Sequence, residues 1–202
     1  MITRQRTLRA AAGGCAALIG TGVLWFGLAA PASAATNECH GLKATIVGTG
    51  GNNTINGTSG RDVIMGLGGN DEIDGRGGND VICGGGGHDD IEGGSGNDWI
   101  HGGSGRDEID GDSGNDTLHG STNKDTLDGG SGQDKLWGGS HNDQLEGGSG
   151  ADRLYGGTGA DFLEGGPGSD KLTGNAGPDQ VFQRYGSDRA EDQWEAKYGF
   201  DD

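Results

Sequence analysis

The chain has 202 residues, of which 48 are glycine, and a formal net charge of −17. That acidity excludes nucleic acid as a partner, since the phosphates would be repelled, and it favours cations. Only 30% of residues are apolar and 5% aromatic, a poor supply for a conventional hydrophobic core.

Residues 1–34 have the pattern of a secretory signal peptide. Arg4, Arg6 and Arg9 give a basic start, Leu18–Ala30 is mostly apolar, and Ala32-Ser33-Ala34 is an A-x-A cleavage site. Arg4-Gln5-Arg6 is not a twin-arginine pair, so the general secretory route is expected, with cleavage near Ala34. The protein is therefore expected to be secreted and extracellular, with no stable membrane insertion after cleavage, because no later apolar run could span a bilayer. Residues 35–47 form a lead-in and N-terminal cap, in which Ala44-Thr45-Ile46-Val47 has the composition of a leading strand. Cys39 and Cys83 could pair outside the cell or remain as two thiols; sequence leaves both open.

From Gly48 to Phe182 one nine-residue phrase, roughly G-G-x-G-x-D-x-(Ile/Leu/Val)-x, repeats fifteen times without insertion or deletion. Position 1 is glycine and position 8 aliphatic in all fifteen copies, and position 6 is Asp in fourteen, with Asn53 the exception. Position 4 is glycine in thirteen copies, Asn123 and His141 departing, and position 2 is the loosest, with glycine in eight. A flexible glycine linker would share the composition but not the phase, so a fixed period of this kind marks a solenoid.

The repeat carries a physical conflict. Its only regular apolar position is the eighth, glycine loses more freedom on ordering than any other residue, and fourteen aspartates in register repel one another. Without metal the repeats are expected to be largely disordered. Ca2+ resolves the conflict, because it takes six to eight oxygens from carboxylates and carbonyls, and a glycine turn can present carbonyls at positive φ. Mg2+ fits less well, since it resists dehydration and demands a tight octahedron. Asn and His at position 4 are among the non-glycine residues that best tolerate positive φ.

On these residues the chain resembles the RTX, or haemolysin-type, calcium-binding nonapeptide repeats, over residues 48–182. The resemblance implies an all-β fold, a parallel β-roll solenoid with two nonapeptides per coil: six residues form each turn and three each strand. It also implies calcium between turns stacked on one edge, held by aspartates eighteen residues apart. Carried over here, one edge is Asp62, Asp80, Asp98, Asp116, Asp134, Asp152 and Asp170. The other is Asn53, Asp71, Asp89, Asp107, Asp125, Asp143, Asp161 and Asp179, which allows about thirteen sites at most. Asn53 removes a charge from the first site, Asn123 and His141 are expected to distort their turns, and Asn175 with Pro178 weakens the last copy. Family members often carry no N-terminal signal, unlike this chain.

Two copies per coil place alternate copies on opposite sheets. One sheet then shows outward Asp74, Glu92, Asp110, Asp128, Glu146 and Glu164, with Glu72, Asp90 and Glu108 beside them. The other shows Val63, Met65, Val81 and Trp99 as an expected exposed apolar patch, then Trp137 and Tyr155 flanked by Lys135 and Arg153. Such a face is a candidate partner surface for a protein or a glycan, or it serves only as cross-strand stabilisation. His101 and His119 stack on this face but make an incomplete metal site, so ordinary histidines are expected.

Residues 183–202 break the period. Asp188-x-x-Glu191 resembles a capping box, and Ala190, Trp194 and Tyr198 share one helical face, so a short helical C-terminal cap is expected. The chain contains neither an H-E-x-x-H zinc motif nor a G-x-S-x-G nucleophile turn, and its aspartates are spaced as ligands rather than as an acid–base pair, so no enzyme is expected. The sequence thus predicts a secreted calcium-binding protein that folds on calcium. The alternative is an extracellular interaction or matrix protein for which calcium is scaffold. An ice-binding solenoid is disfavoured, because position 3 carries Thr only at Thr122 and Thr158.

Overall fold

The computed structural model describes residues 38–182 and the backbone of Tyr185–Gly186 and Arg189–Ala190. The expected signal segment lies outside the described residues, as do most of the tail residues assigned to a helical cap. Arg189–Ala190, where that helix was expected to begin, is instead a strand that continues the roll. No helix of the described residues is long and apolar enough to cross a membrane.

The chain winds into two parallel sheets. The eight-stranded sheet runs from Thr54–Asn56 to Gln180–Phe182, and the nine-stranded sheet from Ile46–Val47 to Arg189–Ala190. Each strand pairs with the one eighteen residues away, as Ile109 does with Ile91 and Leu127. Two nonapeptides therefore complete one coil, which is the β-roll that the period implies.

Strands of the eight-stranded sheet have three residues, as expected, whereas six of those in the nine-stranded sheet have six residues, such as Val81–Gly86 and Trp99–Ser104. On that edge pairing continues into the turn. On the other edge the turns form a further ladder, through Ser131–Gly132, Ser149–Gly150, Pro167–Gly168 and Tyr185–Gly186. The cause is the backbone's need for partners: a turn stacked on an identical turn can bond to it, as Ser95 N–H does to the Arg76 carbonyl at 2.9 Å.

Position 8 fills the space between the sheets in single file. Ile64, Ile82, Ile91, Ile100 and then Leu118, Leu136, Leu145, Leu154, Leu163 and Leu172 are fully buried. Position 7 and 9 side chains point out because side chains alternate along a strand.

The lead-in contains the expected leading strand at Ile46–Val47 and adds a hairpin that the sequence did not suggest. β1 (Glu38–Cys39) and β2 (Leu42–Lys43) form an antiparallel hairpin, and β3 (Ile46–Val47) joins the nine-stranded sheet beside Val63–Met65. Cys39 forms a disulfide with Cys83. The hairpin covers the outer face of the sheet, so Val63 and Val81 are 8% and 6% exposed, packed with Cys39. The apolar patch expected on Val63, Met65, Val81 and Trp99 is thus not open surface: the lead-in uses it as a second small core, with Met65 and Trp99 half-buried at its margin.

Reducing Cys39–Cys83, or replacing Cys39 with Ser, should release the hairpin at a cost of about 4 kcal/mol in the chain-entropy account of a loop this long. The expected result is a red shift of tryptophan emission with the far-ultraviolet β signal of the roll retained. Loss of the β signal would instead mean that the hairpin nucleates the roll.

Candidate metal centres

Each candidate centre is built by one six-residue turn stacked on the next. Position 4 is left-handed in most copies from Gly69 onward, with φ 140° at Gly96 and 137° at Gly105. Asn123 and His141 are also at positive φ, but at 79° and 85°. Asp125 and Asp143 beside them are buried like the rest, and the His141 N–H keeps its bond to the Thr158 carbonyl at 2.7 Å. At Asn123 the turn is perturbed: the Gly105 N–H to Thr122 carbonyl distance is 3.4 Å, against 2.8 Å for the equivalent Gly87 to Ser104 bond. A Cβ at Gly96 would overlap the Gly78 carbonyl oxygen, which lies directly beneath it in the preceding coil.

Position 2 is left-handed too, which its loose sequence concealed. Leu67, Arg76, Asp112 and Ser121 have φ of 80°, 68°, 63° and 89°. For Leu and Arg that conformation costs about 1–2 kcal/mol each, so the neighbouring coils must impose it.

Position 6 points inward on both edges. All fourteen aspartates from Asp62 to Asp179 are no more than 6% exposed. One oxygen has a fixed duty: the Asp98 N–H donates to Asp116 Oδ1 at 2.7 Å and the Asp107 N–H to Asp125 Oδ1 at 2.9 Å. The same bond links each aspartate to the next on its edge, through Asp161 N–H to Asp179 Oδ1 at 2.9 Å. The last copy, with Asn175 at φ 73°, therefore keeps the geometry that its sequence put in doubt.

The other oxygen is the informative one. From Asp71 to Asp161, Oδ2 of every position 6 aspartate is buried and accepts no hydrogen bond. It lies against the position 1 glycine of its own turn; a Cβ at Gly75 would meet Asp80 Oδ2 at 3.0 Å. Burying an ionised oxygen without a partner is strongly unfavourable, so a cation or a proton must satisfy it. Burial pushes Asp116, Asp125, Asp143 and Asp152 up to about 7, and Asp98, Asp107 and Asp134 up to about 6. The backbone N–H bond pulls each partly back, and neighbouring acidic side chains push the same way as burial.

These oxygens suit a hard cation. Among the described residues no three His, Cys, Asp or Glu side chains converge as a metal cluster, so side chains alone do not complete a coordination sphere. Backbone carbonyls of the glycine turns are the remaining donors, the donor set that calcium accepts and that zinc does not prefer.

The first coil differs. Asn53 Nδ2 donates to Thr49 Oγ1 at 2.9 Å and to the Gly51 carbonyl, so the amide supplies its own donors. Asp62 Oδ2 accepts from the Thr58 N–H at 2.7 Å and Oγ1 at 2.9 Å. Sequence reasoning noticed Asn53 but missed Thr49 and Thr58; threonine at position 2 in the first two copies was the available signal. It also missed an outer clamp at position 5, where Asn97 N–H donates to Asn79 Oδ1 at 2.9 Å and Asn115 N–H to Asn97 Oδ1 at 2.8 Å.

The aromatic residues of the nine-stranded sheet stack on one another. Trp99 lies 4.1 Å from His40 of the hairpin, and Trp137 lies 4.6 Å from His119 and 5.4 Å from Tyr155, with interplanar angles of 6° and 12°. Near-parallel rings at the spacing of adjacent strands must stand face to face along the roll, so the faces of Trp137 are taken up by its neighbours. His101 and His119 are half-buried, 6.3 Å apart between ring centroids, and burial holds both below the usual imidazole range.

The family profile described as RTX calcium-binding nonapeptide repeat matches residues 47–82, 84–118, 119–154 and 146–181. A comparison with curated proteins finds no match. The profile covers about two-thirds of the sequence, the same stretch that carries the stacked aspartates, and the chain belongs to the RTX calcium-binding repeat family.

Proposed function

We propose that this protein is secreted unfolded or partly folded and becomes a β-roll by taking up calcium between its stacked turns outside the cell. The observation that carries this is the row of buried Oδ2 atoms from Asp71 to Asp161, each without a hydrogen-bond donor. Asp71, Asp89, Asp107, Asp125, Asp143, Asp161 and Asp179 would hold the ions on one edge, and Asp80, Asp98, Asp116, Asp134, Asp152 and Asp170 on the other. Bound calcium supplies the positive charge that offsets carboxylate repulsion; the residues fix Oδ1 on the neighbouring coil and keep water out. Asp62 contributes least, because Thr58 already satisfies it.

Export is supported by two features of the chain itself: the basic, apolar and A-x-A pattern of residues 1–34, and the Cys39–Cys83 disulfide, a bond that persists in oxidising surroundings. The role is binding and structure rather than catalysis. The position 6 carboxylates from Asp71 to Asp161 repeat one buried arrangement, which suits ligands, rather than a pair with divergent environments for proton transfer.

Far-ultraviolet circular dichroism during a calcium titration tests the reading directly, with magnesium as control. A cooperative coil-to-β transition with calcium alone is expected, because each ion is shared between turns and completes the site of its neighbour. A spectrum insensitive to calcium would overturn it.

Replacing Asp116 with Asn should raise the calcium midpoint by about two- to ten-fold, since ligand charge sets affinity in calcium sites. Replacing Asp62 with Asn should leave it within about two-fold. Equal shifts for both would deny the distinction drawn by Thr58.

The pH dependence has a definite sign. Seven of the aspartates have folded-state pKa raised to about 6 or 7, against an ordinary value of 3.8. The metal-free roll therefore binds more protons than the unfolded chain. Its stability is greatest below about pH 4 and is lost as pH rises through about 6 to 7. Calcium competes with those protons. The calcium midpoint should rise as pH falls from about 8 to about 5.5, while the metal-free chain gains β signal over the same interval. A midpoint independent of pH would show that protons and calcium do not share the carboxylates.

A further inference from the structure

The two outer faces of the roll carry opposite charge at one pitch. On the nine-stranded sheet Lys135, Arg153 and Lys171 occupy successive strands in register, Lys135 opposite Arg153 and Arg153 opposite Lys171. On the eight-stranded sheet Glu72, Asp90 and Glu108 form the equivalent row, with Asp74, Glu92 and Asp110 beside it. Each row advances by one strand, about 4.8 Å per rung, because the same coil builds both sheets.

Rows of like charge directly opposite one another destabilise a sheet, and neither row offsets the other across the core. Lys135 and Arg153 are exposed and form no ion pair among the described residues. Both line a cleft of about 440 Å³ with Asn115, Gln133, Asp134 and Ala151, open to a group from outside. The ring faces of Trp137 are taken up by His119 and Tyr155, so this face does not offer a flat platform for a sugar. What it offers is a row of cations.

We propose that the Lys135–Arg153 row docks on the Glu72–Asp90–Glu108 row of a second copy of this chain. The match is in sign and in spacing, and one molecule carries both patches. The faces lie on opposite sides of the roll, so the contact is heterologous: a docked pair keeps one free face of each kind, and association grows as an open stack. Calcium gates it. This part rests on the calcium reading above. The full sequence carries −17, and −20 without Arg4, Arg6 and Arg9 of the signal segment, so the metal-free exported chain repels its own copies, whereas about ten bound ions bring the formal charge close to zero.

Sedimentation velocity of the intact protein tests this, with circular dichroism on the same samples. With calcium and salt of about 0.05 M, the weight-average mass should at least double as concentration rises, and about 1 M salt should return it to monomer. The double variant Lys135→Glu with Arg153→Glu should stay monomeric, as should Asp90→Lys with Glu108→Lys, both with unchanged β signal. Mixing the two variants should restore association, because each then presents the charge that the other lacks. A β-rich but monomeric wild type overturns the docking alone, and so do variants that associate as the wild type does. Association that appears only on adding alginate, a polyuronate, also overturns it, in favour of an acidic glycan. A chain without any calcium-induced β signal overturns the calcium reading together with the gated stack.

Discussion

The structure depends on one repeated arrangement: a buried aspartate whose Oδ1 accepts the backbone N–H of the aspartate one coil back. That bond fixes the height of each turn relative to the next and orients the second oxygen inward. Everything else follows from stacking identical turns. The turns become laddered because each meets a copy of itself, position 8 falls in single file between two sheets, and outward residues sort into two faces by the parity of their copy. The arrangement is also the weak point of the fold, since it places the carboxylates from Asp71 to Asp161 where no hydrogen-bond donor satisfies the second oxygen.

Folding and binding are consequently one process in this chain. In an ordinary domain the apolar core is formed first and a metal site is carved into it. Here the apolar file is one side chain wide, and the turns that flank it contain the charge that opposes folding. The first coil is the exception. Thr49, Asn53, Thr58 and Asp62 satisfy one another, and the β1–β2 hairpin with its disulfide holds the adjacent sheet face. The amino-terminal end thus contains the part of the roll that needs metal least.

Much of this was legible in the sequence because the period is strict. A nine-residue phrase with aspartate at position 6 and an aliphatic residue at position 8 fixes the strand, the inward residue and the eighteen-residue pairing. What escaped had no phase. Position 2 looks unconstrained, yet its backbone is left-handed at Leu67 and Arg76, because the constraint comes from the coils above and below and not from the residue itself. Asn123 and His141 were expected to distort their turns, and residue identity alone could not separate them: the stack keeps the ladder bond at His141 and leaves the one to the Asn123 turn stretched. The lead-in hairpin was illegible since residues 38–47 lie outside the repeat, and the Val63–Trp99 patch could be recognised as apolar without any sign of what covers it.

The parity of copies has a consequence for how such a chain can change length. Eighteen residues make one coil, so losing or gaining two copies removes or adds a whole coil and leaves every downstream side chain on its original sheet. A single nonapeptide is different. It also preserves turns, aspartates and the apolar file, but it moves all later strands to the opposite sheet, exchanging Lys135 and Arg153 with the acidic row in their placement. Duplication by pairs is therefore neutral for both the interior and the surface, while duplication by one is silent inside and scrambles the outside. The fifteen copies of this chain can be edited as a tape, provided that the edit counts in twos.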